Sequence, residues 1–130
     1  MGTKSNTVFI DGKSRILNLY RQFDGYPNGH GLELALCLAG YSLVNGYSKA
    51  DQQTANGMGC LAAFVVSRFK KATGNIYIVP IRDSINDYTY IVRGDTMQPE
   101  KGLKITVCEF GKKIFTGNLD QFITFCKQGD

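Results

Sequence analysis

At 130 residues with 43% hydrophobic content, the chain is long enough to bury a core as one domain and too short to divide comfortably into two. Its 15 basic and 11 acidic side chains leave a net charge of +4, which falls short of the dense basic stripe of a duplex-binding protein but suits a small anion. No apolar run approaches the roughly 18 residues that cross a bilayer, and the start Met-Gly-Thr-Lys-Ser-Asn lacks the apolar stretch of an export signal, so neither a membrane partner nor secretion is expected.

The first predicted element is a hairpin. Residues Thr7 to Ile10 are β-rich, Asp11-Gly12 is a two-residue turn signal, and Arg15 to Arg21 supplies the return strand. Alternation puts Arg15, Leu17, Leu19 and Arg21 on one face and Ile16, Asn18 and Tyr20 on the other, so Tyr20 and Arg21 leave the strand in opposite directions. Residues Tyr20 to Gly31 then hold the densest mixture of polar, aromatic and turn-forming side chains in the chain. Gly25 is expected to take a backbone angle closed to other residues, Pro27 fixes its own φ and extends Tyr26, and Asn28-Gly29 forms a second turn. A loop so stiffened loses little entropy when a ligand arrives.

An apolar strand ending in Leu19-Tyr20-Arg21, followed by Asp24-Gly25-Tyr26-Pro27 and a glycine, resembles a family of small bacteriophage and prophage proteins with a Tyr-Arg-x-x-Asp-Gly-Tyr-Pro signature. The likeness runs on through two helical segments and a strand hairpin carrying Asp87, Tyr88 and Tyr90. Its specific part is Tyr20 to Pro27, and Gln22 stands where the family often has His. The resemblance implies a viral source and a host-cytoplasm setting, and it supplies no chemistry of its own.

Gly31 to Ala39, with Tyr41, Leu43 and Val44 beyond, reads as a helix apolar on nearly every side and therefore buried between layers. Its N-terminus falls at Gly29-His30-Gly31, where free amides and the helix dipole favour an anion. Asn45 to Thr54 is a polar connection, and a second helix spans about Asn56 to Ala72. Strands are expected at 76–79, 88–92, 103–108 and 113–115, the last three as a meander, before a short helix from Leu119 to Lys127. The fold expected is α+β, a mostly antiparallel sheet of about five or six strands with two central helices and a C-terminal helix on it, in the order β-β-α-α-β-β-β-β-α. Open sheet edges in so small a chain also suggest a homo-oligomer.

Cys37, Cys60, Cys108 and Cys126 lie in apolar runs without C-x-x-C spacing, and the chain has one His, so buried free thiols are expected and neither a metal site nor a cofactor. Arg68, Lys70 and Lys71 form a cationic cluster with no acid between Gln53 and Asp83.

These features are read as a module that binds a small anionic, nucleotide-like ligand without turnover. Tyr20, Tyr26 or Tyr88 would stack on a base, and Arg21 with the amides near His30 would hold phosphate. Asp24 or Asp87 would meet a ribose hydroxyl, and Gly25 would shape the loop. For a phage protein of this size, holding a nucleotide most simply means sequestering a host immune signal. A hydrolase built from His30, Asp24, Glu33 and a cysteine is the poorer constellation, since no nucleophile elbow, carboxylate pair or metal motif accompanies them. An inhibitor of a host protein is an alternative, and a nucleic-acid binder ranks below it, because the aromatics alternate with apolar residues as core packing requires.

Overall fold

The computed structural model describes residues 2–46, 53–82 and 86–128. Among these the chain runs through β1 (Ser5–Asp11), β2 (Ser14–Arg21), a π-helical turn (Pro27–Gly31), α1 (Leu32–Ala39), β3 (Ser42–Val44), β4 (Thr54–Asn56) and α2 (Gly57–Phe69). It continues through β5 (Ile76–Ile78), β6 (Tyr88–Gly94), a 3-10 turn (Pro99–Lys101), β7 (Lys104–Glu109), β8 (Lys112–Gly117) and α3 (Leu119–Gln128). The class is the expected α+β. A six-stranded sheet in the order β5-β2-β1-β6-β7-β8 carries the helices, and β6, β7 and β8 form the anticipated meander.

The sheet is antiparallel throughout except between β1 and β6, which run parallel with Thr7 opposite Tyr90 and Phe9 opposite Val92. That pairing makes β1 the centre of the sheet and accounts for its burial on both faces. On the helix-covered face Phe9, Leu19, Tyr90, Val92, Ile105 and Val107 meet α1, α2 and α3 in one core. On the second face Asn6 Nδ2 donates to Asn18 Oδ1 at 2.9 Å, Asn18 Nδ2 donates to the Pro80 carbonyl at 2.9 Å, and Asn86 donates to Asn6. The two asparagines, each 2% exposed, are thus satisfied by each other, by Pro80 and by Asn86.

Four local expectations need correction. The hairpin turn is Gly12-Lys13 and not Asp11-Gly12: Asp11 still pairs with Ser14, and Gly12 takes φ +62°. Phe9 faces Leu17 while Ile10 faces Arg15, so Ile16 is an extra residue in β2 and Arg15 stands on the face opposite Leu17. The first helix stops at Ala39, and residues 42–44 instead pair in parallel with residues 54–56. This two-stranded ladder changes the element order to β-β-α-β-β-α-β-β-β-β-α. The interior of the polar connection, residues 47–52, lies outside the described residues. The second helix ends at Phe69 and not Ala72, because Lys70 turns to an extended conformation and its Nζ bonds the Ile76 carbonyl at 2.9 Å.

Candidate functional site

The loop after β2 is held by its own backbone. Asp24, and not Gly25, takes the left-handed conformation at φ 61°, which Asp tolerates. Gly25 is needed for a different reason, close approach to the start of the chain. A Cβ there would lie 2.8 Å from Ser5 Cβ, 2.9 Å from the Lys4 carbonyl carbon and 2.9 Å from the Thr3 oxygen. Its amide donates to Thr3 O at 2.9 Å, and its carbonyl accepts the Tyr90 hydroxyl at 2.7 Å.

Pro27 starts a π-helical turn that leads directly into α1, so the helical segment begins four residues before Gly31. The amides of Gly29 and Gly31 donate to the Tyr26 carbonyl, and that of His30 donates to the Asp24 carbonyl at 2.7 Å. The amides expected to receive a phosphate near His30 are therefore already committed within the loop, which removes the helix-end anion contact from the site.

His30 is 2% exposed and lies between two polar partners. Arg21 Nη1 approaches its Nδ1 at 3.2 Å, and because a guanidinium can only donate, Nδ1 is the acceptor. Nε2 then carries the proton and donates it to Thr7 Oγ1 at 2.7 Å. The rings of Phe69 and Tyr90, each with its centroid 5.4 Å away, enclose the imidazole. Burial first, and the Arg21 charge second, push its pKa down to about 3, so the ring is neutral at physiological pH. With both nitrogens in use, His30 serves to hold Arg21.

Arg21 is the hinge of the site. Its Nε donates to the Phe23 carbonyl at 2.7 Å, and Nη1 is shared between His30 and Glu33 Oε1, the latter at 2.5 Å. Nη2 lies 3.9 Å from Asp24 Oδ2, beyond hydrogen-bond range, and so keeps its donors for another acceptor. The guanidinium borders a groove of about 490 Å³ between the end of β2, α1 and the end of α2. Arg68 and Lys71 line the same groove, Glu33 is the one carboxylate of its lining among the described residues, and Phe23, Leu36 and Phe69 give it apolar walls. Phe23 is 57% exposed and Leu36 54%. Cys37 lies buried in the same lining; burial raises its thiol pKa against the opposing pull of Arg68, so it stays protonated.

The residues singled out from sequence are divided by the fold. Arg21, Asp24 and His30 come together. Tyr26 stays beside Asp24, its hydroxyl 3.5 Å from Oδ1, and Gly25 lies beneath them. Tyr20 projects from the other face of β2, where its ring meets Tyr77 at 6.1 Å. Asp87 accepts the Lys4 amide at 3.1 Å, and Tyr88 donates to Glu109 Oε2 at 3.1 Å; neither lines the groove. Phe23, Glu33, Leu36, Arg68, Lys71 and Ile76 take their places. The Arg68 to Lys71 charge cluster was a sequence signal for two of these, and an unshielded Phe in a polar loop was a signal for a third.

Among the described residues there is no grouping of three or more His, Cys, Asp or Glu side chains fit to hold a metal ion, and no helix long and apolar enough to cross a membrane. No family model, curated protein or solved structure matches the chain.

Proposed function

We propose that this protein binds a small nucleotide-like anion in the groove between α1 and the end of α2, and holds it without transforming it. The observation that carries this reading is the meeting of three cations, Arg21, Arg68 and Lys71, with the exposed ring of Phe23 around one groove of about 490 Å³. That volume falls in the range of small-molecule pockets, about 300–1,000 Å³. Neither Arg68 nor Lys71 has a carboxylate partner among the described residues, so an incoming phosphate would not have to break an ion pair to reach them. Phe23, rather than the tyrosines, is the side chain positioned to take a planar base.

Binding is favoured over catalysis by the states of the two groups that could act. His30 has both nitrogens engaged and Cys37 is a buried thiol, so the groove holds neither a free imidazole nor a thiolate. The phage origin, the host-cytoplasm setting and the sequestering of a host immune signal belong to the same proposal, and rest on the Tyr20 to Pro27 signature. The test is to incubate the pure protein with a panel of host nucleotide signals, desalt it, and identify what remains bound by mass spectrometry. Intact nucleotide retained in stoichiometric amount is the expected result. Retention of none of the panel, or release of a cleaved product, would end the reading. A protein-docking role is the second reading, favoured by the exposed apolar side chains Phe23, Leu36 and Ile78, the last 68% exposed on edge strand β5.

A further inference from the structure

We propose that Glu33 is a built-in competitor for the anion site: its carboxylate sits on Arg21 where a ligand phosphate would bind, and ligand entry displaces it. The inference rests on the groove reading above and adds a residue that sets its affinity. Glu33 Oε1 takes one Nη1 hydrogen of Arg21 at 2.5 Å, and His30 Nδ1 takes the other at 3.2 Å. The two contacts differ in kind. His30 is buried, fixed from behind by Thr7, and holds the guanidinium from the protein side. The Glu33 side chain is 55% exposed, projects from the first turn of α1, and lies in the groove lining beside Arg68 and Lys71. An exposed carboxylate on a flexible stem is held weakly, because water competes for both charges. A phosphate bridging Nη1 and the uncommitted Nη2 would gain the paired geometry that a single Glu33 oxygen leaves unused.

Glu33 then acts in two ways. It shields Arg21 when no anion is near, and it sets a threshold that a weakly charged ligand does not pass. His30 and Thr7 are positioning residues in this scheme, because they hold the guanidinium plane and face the core, away from the ligand.

The experiment titrates AMP and inorganic phosphate separately into the wild-type protein, Glu33→Gln and Glu100→Gln by calorimetry. Glu100→Gln is the control for net charge: it removes the same charge at an exposed side chain of the 3-10 turn, outside the groove lining. Displacement predicts that Glu33→Gln binds AMP about two- to fivefold tighter than wild type, while Glu100→Gln changes by less than about 1.5-fold. A gain with inorganic phosphate alone supports displacement and removes the base contact. If wild type binds AMP and Glu33→Gln binds it no tighter, or Glu100→Gln gains as much, the competitor role is wrong and the groove stands. If neither probe binds any of the three proteins, the competitor and the groove reading fall together.

Discussion

His30 shows how far a residue's role can depart from its type. It is the sole histidine, and in sequence it sits among glycines at the start of a helix, as a ligand contact would. Buried between Arg21 and Thr7, it is instead a neutral connector whose pKa falls from 6.5 to about 3. The sign of the linkage follows from that depression. Below pH 6.5 the unfolded imidazole takes up a proton that the folded one refuses, so stability is lost as pH falls through the window from 6.5 to about 3. Between pH 7.5 and 5 the loss due to this residue is about 2 kcal/mol. Urea denaturation at the two values should show it, and a His30→Gln protein should show a flatter pH profile. Proton NMR of the single imidazole should find no titration between pH 8 and 5; a midpoint near 6.5 would contradict the buried, neutral assignment.

At the scale of elements, glycines separate into those that fill space and those that spare it. Gly25 meets the backbone of Thr3 and Lys4, which cannot move without shifting the entry to β1. Gly25→Ala should therefore cost about 1–3 kcal/mol, by the rule for overpacked sites. Gly59 in α2 has open space where a Cβ would go, and its φ is not positive. There Gly59→Ala should add about 0.5–1 kcal/mol, because alanine loses less backbone entropy in a helix. Chemical denaturation of the two variants reads the contrast directly; equal and opposite signs from those stated would mean that the loop and β1 do not pack as described. The same scale holds the short parallel ladder of β3 and β4, which no pattern of three residues such as Ser42-Leu43-Val44 announces, since a parallel partner is remote and side-chain alternation needs more residues to register.

For the whole molecule, the groove is made by four segments: the end of β2, the first turns of α1, the end of α2, and the start of β5. Arg68 and Lys71 are exposed, so removing them should leave stability nearly unchanged while weakening the proposed anion contact. Arg68→Ala with Lys71→Ala should lower nucleotide affinity by about tenfold or more, with a shift in melting temperature within experimental scatter. Calorimetric titration paired with thermal denaturation checks both halves of the statement; unaltered binding would place the ligand elsewhere. The hairpin, the closing meander and the terminal helix were all legible because local alternation, turn residues and a 3.6-residue stripe encode them within a few positions. Of the eight residues singled out from sequence, Arg21 alone lines the groove, joined from the same loop by Phe23, because side-chain direction and the packing of α2 are not encoded within that stretch.

What the sequence determined by itself is the supply of parts: a stiff aromatic loop ending β2, a basic end to α2, and alternating strands with one apolar face. These are local properties, fixed by side-chain spacing and by the backbone limits of Gly, Pro and Asp. Only the tertiary structure decided which parts meet. Parallel pairing of β1 with β6 set the layers, the pairing of β2 with β5 put Tyr20 against Tyr77, and the packing of α2 brought Arg68 and Lys71 into the groove that Arg21 also lines. The reason is physical: long-range pairing is chosen by burial of the combined core, a quantity that belongs to all the segments at once and to no stretch of residues alone.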